Sequence, residues 1–283
     1  MVTESGVSQY PSVVTQQMVY NFVSGGAGVN AIAALTGAKV VVVDMGVNGD
    51  LTALGNKIVH KKIGMGTANM AKGPAMSRED AVKSVEAGIQ VAMELAGETD
   101  VFGAGEMGIG NTTSASAIVA AVTGEDPEKL TGRGTGIDDD RLKLKIDVVK
   151  SVLEVNKPDP KDGLDLLSKI GGFEVGGMAG VIIGAASMRK PVMVDGFIST
   201  AGAIIASLIA PESKSYMIAA HESVEPGHQA MLGYLGKRAY LDMNMRLGEG
   251  SGAALAMCVV DAASNVLTKV ATFEEASVSE ADK

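Results

Sequence analysis

Residues 100–113 read Asp-Val-Phe-Gly-Ala-Gly-Glu-Met-Gly-Ile-Gly-Asn-Thr-Thr. Asp100-Val-Phe is a short strand that runs into a loop with glycine at every second or third position. Residues 112–122 then have helical composition. Strand, glycine loop and helix in this order form the repeating unit of an α/β sheet. The same alternation extends outward in both directions. Lys39-Val-Val-Val-Val-Asp44 is a β-branched run suited to a parallel strand covered on both faces. Pro191–Val194 and Tyr216–Ala219 read as two more buried strands, with an Ala/Ile-rich helix from Ala201 to Ile209 between them.

Val13–Val23 has Val14, Met18, Val19 and Phe22 at helical spacing, and Ala27–Leu35 is a second short helix closed by Gly37. Ser77 opens a helix to Leu95, with Asp80 completing a capping-box pattern. Asp140–Val155 is amphipathic, Pro158-Asp-Pro160 is a solvated turn, and Ser251–Leu267 is a long Ala-rich helix. With no internal repeat or low-complexity linker, residues 1–283 read as one α/β domain. Its sheet is expected to be Rossmann-like, mostly parallel, with helices on both faces.

Composition narrows the function. A net charge of −9 argues against holding nucleic acid by neutralising phosphates. A single cysteine excludes a disulfide framework and fits a reducing compartment. The first residues show neither a basic nor an apolar leader region. The stretch Phe197–Ala210 is too short and too rich in small residues to span a bilayer, so the expectation is a cytoplasmic protein without membrane contact. Glycine, at 36 of 283 residues, exceeds the usual share of roughly 7% and is clustered. Clustered glycine marks close approach of backbone to a ligand. In parallel sheets ligands sit at the carboxyl ends of strands, which selects the loops Gly103–Asn111, Gly132–Gly136, Gly171–Gly177, Asp195–Gly202 and Gly248–Gly252.

Two glycine patterns imitate a dinucleotide fingerprint. Gly26-Ala-Gly28-Val-Asn-Ala31 lacks the strand that must precede it, because residues 13–23 are helical. Gly103-Ala-Gly105-Glu-Met-Gly108 follows a strand, but no strand ending in an acid comes after its helix. A nicotinamide-dependent oxidoreductase is therefore the weaker alternative. His221-Glu-Ser-Val-Glu225-Pro-Gly-His228 gathers possible metal ligands, yet Glu225 stands where H-E-x-x-H needs histidine, and Pro226-Gly227 breaks the helix. A polar loop that hydrogen-bonds substrate or neighbours is the better reading, with no metal. His60, among Lys57, Lys61 and Lys62, reads as solvated, and Cys258 as core.

Gly132-Arg-Gly134-Thr135-Gly136 offers successive backbone N–H groups, an arrangement that holds anions. Lys143 and Lys145 follow on the next helix, and either could reach the same anion. An ordinary helix cap by Asp138 explains the segment equally well. Glu106 and Glu249 each stand in a glycine-rich loop before a helix, where a carboxylate packs little. Two such carboxylates fit acid–base or hydroxyl-binding chemistry.

Six segments occur in order: Gly105–Thr113, Gly132–Gly136 with Asp138-Asp139, Gly172–Gly177, Asp195–Thr200, His221–His228 and Arg246–Gly250. Together they closely resemble the nicotinate-nucleotide:dimethylbenzimidazole phosphoribosyltransferase family of cobalamin lower-ligand assembly, over essentially the whole chain. The resemblance implies a sheet core over about 25–245 and a small helical lobe built from about 1–24 and 251–283. It also implies a homodimer and no cofactor. By the same resemblance Glu249 is the general base and Glu106 a ribose-side contact. Lys145, Gly134 and Thr135 hold the phosphate, Ser223 lies near nicotinate, and Gly108 and Asp195 belong to substrate-binding motifs. Tyr10 and Met18 are expected to line the base pocket, since Tyr10-Pro-Ser-Val-Val-Thr-Gln-Gln-Met18 resembles the family's base-pocket segment. The family pattern carries a further leading segment before the equivalent of Val2. Its lack here leads us to expect apolar surface on the lobe that favours self-association or a paralogous partner. A related paired class transfers to phenols, which leaves the acceptor open.

Overall fold

The computed structural model describes residues 7–279. In chain order the helices and strands are α1 (Val13–Val23), α2 (Gly28–Thr36), β1 (Val43–Asp44), β2 (Val59–His60), α3 (Arg78–Leu95), β3 (Phe102–Ala104), α4 (Asn111–Thr123), α5 (Pro127–Leu130), α6 (Asp139–Asn156), α7 (Gly163–Ile170), α8 (Phe173–Ser187), β4 (Val192–Val194), α9 (Phe197–Ile209), β5 (Met217–Ala219), β6 (His221–Ser223), α10 (Gly227–Leu235), β7 (Leu241–Met245) and α11 (Ser251–Lys269).

Every strand pairing among the described residues is parallel. β3, β4 and β5 form a three-stranded sheet with Phe102, Val192 and Met217 in register. β1 pairs with β2, and β6 with β7 across a register shift between His221 and Ser223. The main core joins Phe102, Val192, Val194 and Met217 of the sheet to Ile118, Ile182, Ile204 and Ile205 of the covering helices.

The fold is the expected α/β class with parallel strands, and several helices start where their caps predict. Ser77 Oγ accepts from the Asp80 N–H at 3.0 Å, and Asp138 caps α6 through the Arg141 N–H at 2.9 Å. Other readings need correction. Residues 39–42 run beside β2, and the Val42 carbonyl accepts from the Val59 N–H at 2.9 Å, but only Val43 and Asp44 form ladder pairs, because their partner β2 is just Val59-His60. The segment 173–177, read as loop, is the first turn of α8, and α9 begins at Phe197 instead of Ala201. The α8 glycines serve packing against α3: a Cβ on Gly180 would lie 2.0 Å from the Val85 carbonyl oxygen, and one on Gly88 2.0 Å from that of Gly177. Only bare backbone lets two helices approach so closely. Cys258 is exposed, since α11 leaves the core after its first two turns.

Among the described residues, Val13–Thr36 and Ser251–Lys269 are long and apolar enough by composition to cross a membrane, longer than the 197–210 stretch. The first is broken at 24–27 into α1 and α2, and the second buries its opening turns against the sheet. Phe22, Ala27 and Val29 pack with Ala254 of α11, bringing the two ends of the chain together.

Candidate active site

A cavity of about 360 Å³ lies between the two sheet edges, with Val40–Val43 on one wall and Phe102–Ala104 on the other. Met45, Met107, Met178 and Met257 contribute to its lining, which gives it a pliable apolar surface. Three carboxylates, Glu106, Glu174 and Glu249, also face it. Asp44 shapes the near rim by accepting from the Gly46 and Val47 N–H groups at 3.1 and 2.9 Å, with Lys62 at 3.2 Å.

Glu106 leaves β3 in the glycine loop predicted from sequence. Burial pushes its carboxyl up to about 8, against the opposing effect of an Asn111 side-chain hydrogen bond; the charges of Glu174, Asp195 and Glu249 push the same way as burial. Near neutral pH the group therefore carries a proton and can donate a hydrogen bond. Burial raises Glu174 as well, and Asn111 bonds to it too. Glu249 follows Gly248 and precedes Gly250, and all three have positive φ, at +79°, +65° and +86° in chain order. This left-handed run turns the Glu249 side chain away from α11. Its Oε2 instead accepts from the Val29 N–H at 3.0 Å, at the first turn of α2. The Gly26–Ala31 pattern is thus a helix start that meets a carboxylate of the protein itself.

A second cluster begins at the residue after Asn111. Lys145 is 1% exposed, and its Nζ donates to Thr112 Oγ1 at 3.0 Å and to the Gly132 carbonyl at 2.8 Å. Burial lowers its ammonium to about 8, while the Glu225 charge opposes that shift. The Gly134 N–H, at φ +54°, already donates to Glu225 Oε1 at 2.8 Å, and Thr135 is exposed. The anion-holding loop is filled from within by a buried carboxylate.

A third group lies behind the Glu249 loop. Asp195 is buried, with both oxygens on backbone amides at the start of α11 and His221 Nε2 3.6 Å from Oδ1. The buried His228 accepts from the Ser223 N–H at Nδ1 over 2.8 Å, so its proton sits on Nε2, which lies 3.0 Å from Thr200 Oγ1. Burial pushes this imidazole down to about 3 and keeps it neutral.

Of the residues selected from sequence, Glu106, Gly108 and Glu249 line the cavity together. Lys145 and Gly134 meet at Glu225, and these two, with Thr135, Asp195 and Ser223, lie outside the cavity lining. Tyr10 is 45% exposed and outside the cavity wall, while Met18 packs beside Phe22 and Ala27. Ser12 and Thr15 take the wall instead, and Thr15 Oγ1 accepts from the Ile109 N–H at 3.2 Å. Their spacing of three along the chain entering α1 is the signal that points to them. Glu174 lies within the Gly172–Gly177 motif, to which sequence reasoning assigns no role; an acid in the first turn after two glycines is the mark it carries.

The sequence profile of a family described as "Phosphoribosyltransferase" matches residues 1–278. The chain belongs to this family. It is similar to proteins named nicotinate-nucleotide–dimethylbenzimidazole phosphoribosyltransferase from Desulfotalea psychrophila and Syntrophotalea carbinolica. Both are 55% identical to it, the first over 100% of this chain and 80% of that relative, the second over 99% and 80%. The crystal structure of CobT from Thermus thermophilus superposes with a TM-score of 0.94 at 41% identity, covering 99% of this chain and 84% of that one. A phosphoribosyltransferase of this family is an enzyme of pentosyl transfer, and its carboxylate-lined cavity is the place to look for the chemistry.

Proposed function

We propose that the chain transfers the phosphoribosyl group of nicotinate mononucleotide to 5,6-dimethylbenzimidazole or a related base. The products are α-ribazole 5′-phosphate and nicotinate, a step of cobalamin biosynthesis. The observation that carries this reading is 55% identity across the whole chain to relatives of that name.

The substrate supplies its own leaving group. Its pyridinium nitrogen takes the electron pair of the breaking glycosidic bond and departs as neutral-ring nicotinate, without a general acid. Glu249 takes the N–H proton of the acceptor base while the opposite ring nitrogen forms the new bond to the anomeric carbon. Attack opposite nicotinate gives the α-linked product. Glu106, protonated by its surroundings, donates to a ribose hydroxyl. The methionine-lined wall seats the flat acceptor, with Ser12 and Thr15 at its edge. Lys145 attracts the phosphate to the outer, exposed side of the Gly132–Gly136 loop at Thr135, since the Gly134 N–H is held by Glu225, and Ser223 lies toward nicotinate. Holding both reactants in line removes much of the barrier before any proton moves.

We propose further that two copies associate through the small lobe formed by the chain ends. Val259, Val266, Leu267 and Phe273 at the α11 end are exposed together, which supports an apolar contact there.

Incubation with nicotinate mononucleotide and either dimethylbenzimidazole or phenol, with product mass as readout, tests the reaction. An α-ribazole phosphate mass supports it. A phenolic product alone transfers the acceptor assignment, and no transfer to either overturns the reading.

A further inference from the structure

Gly250 is the N-cap of α11 and has no side chain to satisfy the first amides of that helix. Asp195, at the carboxyl end of β4, does so from across the chain. Its Oδ2 accepts from the Gly250 N–H at 3.2 Å and its Oδ1 from the Ala253 N–H at 2.9 Å. Asp195 is itself held in place. A Cβ on Gly252 would lie 2.0 Å from His221 Cδ2, and one on Gly196 2.8 Å from His221 Nε2, so the imidazole is wedged between two glycines against the aspartate. The first amide that Asp195 binds belongs to the residue directly after Glu249. Glu249 adopts a left-handed conformation that a side chain rarely takes, and some external restraint must hold it.

We infer that Asp195 is a positioning residue for Glu249, fixing the Gly248–Gly250 turn so that the carboxylate faces the cavity instead of capping its own helix. Asp195 is 2% exposed and lies outside the cavity lining, with its oxygens on backbone amides behind the loop, so its role is positioning in place of the substrate contact expected from sequence. The Val29 N–H completes the arrangement from the front: Asp195 anchors the backbone, and α2 receives the carboxylate. The inference rests on Glu249 being the base.

The experiment is a double-mutant cycle on the full chain with D195N and E249Q, reading kcat, KM for nicotinate mononucleotide, and Tm. D195N is expected to lower kcat ten- to a hundredfold with KM changed less than threefold. In the E249Q background the same change should lower kcat less than twofold, since there is no base left to misplace. Equal fold losses in both backgrounds would overturn the inference, as would a lowered Tm with near-normal kcat, which makes Asp195 a helix cap only. An E249Q enzyme with near-normal kcat would instead remove the base assignment and this inference with it. If D195N does not fold, His221→Gln keeps both amide bonds and loosens only the backing. It should lower kcat three- to tenfold in the wild-type background and less than twofold in E249Q, and an unchanged kcat overturns the inference.

Discussion

Lys145 and Thr112 share a hydrogen bond of 3.0 Å, and the residue before Thr112 is the asparagine that bonds Glu106 and Glu174. Two consecutive residues at the start of α4 therefore tie the lysine cluster to the carboxylates of the cavity. A change at one cluster has a direct mechanical route to the other.

Lys145→Met keeps most of the side-chain volume and removes the charge. Nicotinate mononucleotide should then bind about tenfold more weakly, the scale of one charge-assisted hydrogen bond. A ligand lacking the phosphate should bind within about twofold of wild type. Titration calorimetry with both ligands checks this, and equal loss for both would assign Lys145 a structural role. In the wild type, the ammonium loses its proton near pH 8, so nucleotide affinity should fall as pH rises through that value.

Glu106 offers a pH test of stability. Its folded carboxyl titrates at about 8, above the ordinary 4.5, so the folded state binds more protons between those values. Stability from this group is full below pH 4.5 and declines as pH rises toward 8. His228, lowered from 6.5 to about 3, works in the opposite direction, and its contribution is complete above pH 6.5. Between pH 6.5 and 8, where His228 no longer contributes, Tm should fall with rising pH, and Glu174 and Asp195 add to the same sign because burial raises them too. Glu106→Gln should flatten that slope, and an unchanged slope would show that other groups produce it.

Glu249→Gln keeps an oxygen that can accept from the Val29 N–H. Turnover should fall by about two to four orders of magnitude, the range of general-base catalysis, with Tm and nucleotide affinity little changed. A normal rate with a lower Tm would make this side chain a fastener between α2 and α11.

Gly180→Ala probes the α3–α8 contact. The added methyl would meet the Val85 carbonyl oxygen at 2.0 Å, and overpacking of this kind costs about 1–3 kcal/mol. Thermal unfolding should register several degrees of loss. An unchanged Tm would mean that the two helices separate at little cost.

Leu267→Asp and Val266→Asp test association through α11. Sedimentation at micromolar concentration should show a dimer for the wild type and a shift toward monomer for the variants. A wild type that stays monomeric contradicts the proposed pairing.

Helix ends are legible in the sequence because their signals are local: Ser77 with Asp80 and Asp138 at starts, and Gly37 closing α2, all act within four residues. The paired glycine-loop carboxylates are legible for a related reason, since Glu106 and Glu249 have no packing excuse where they stand. Long-range facts are not. Gly176 and Gly177 read as part of a loop until α3 lies against α8, and nothing near Glu225 in sequence announces that it reaches Gly134, 91 positions away. Tyr10 and Met18 follow from likeness of a segment, but which helical face meets the cavity depends on how α1 sits. That orientation puts Ser12 and Thr15 on the wall. The strand over 39–44 fails for another reason, because a ladder requires a neighbour that no single segment can report.

The gap between β1 and β3 also divides the molecule mechanically. The β1–β2 ladder is two residues long and meets the main sheet across a cavity instead of through hydrogen bonds. Separating the two sides would break few main-chain bonds, so their opening should precede global unfolding as a local event. Amide protons of residues 40–44 would then exchange faster than those of β4, although apolar side chains cover both. A ligand that fills the cavity would slow that exchange by bridging its walls, making the reacting molecules part of what closes the fold.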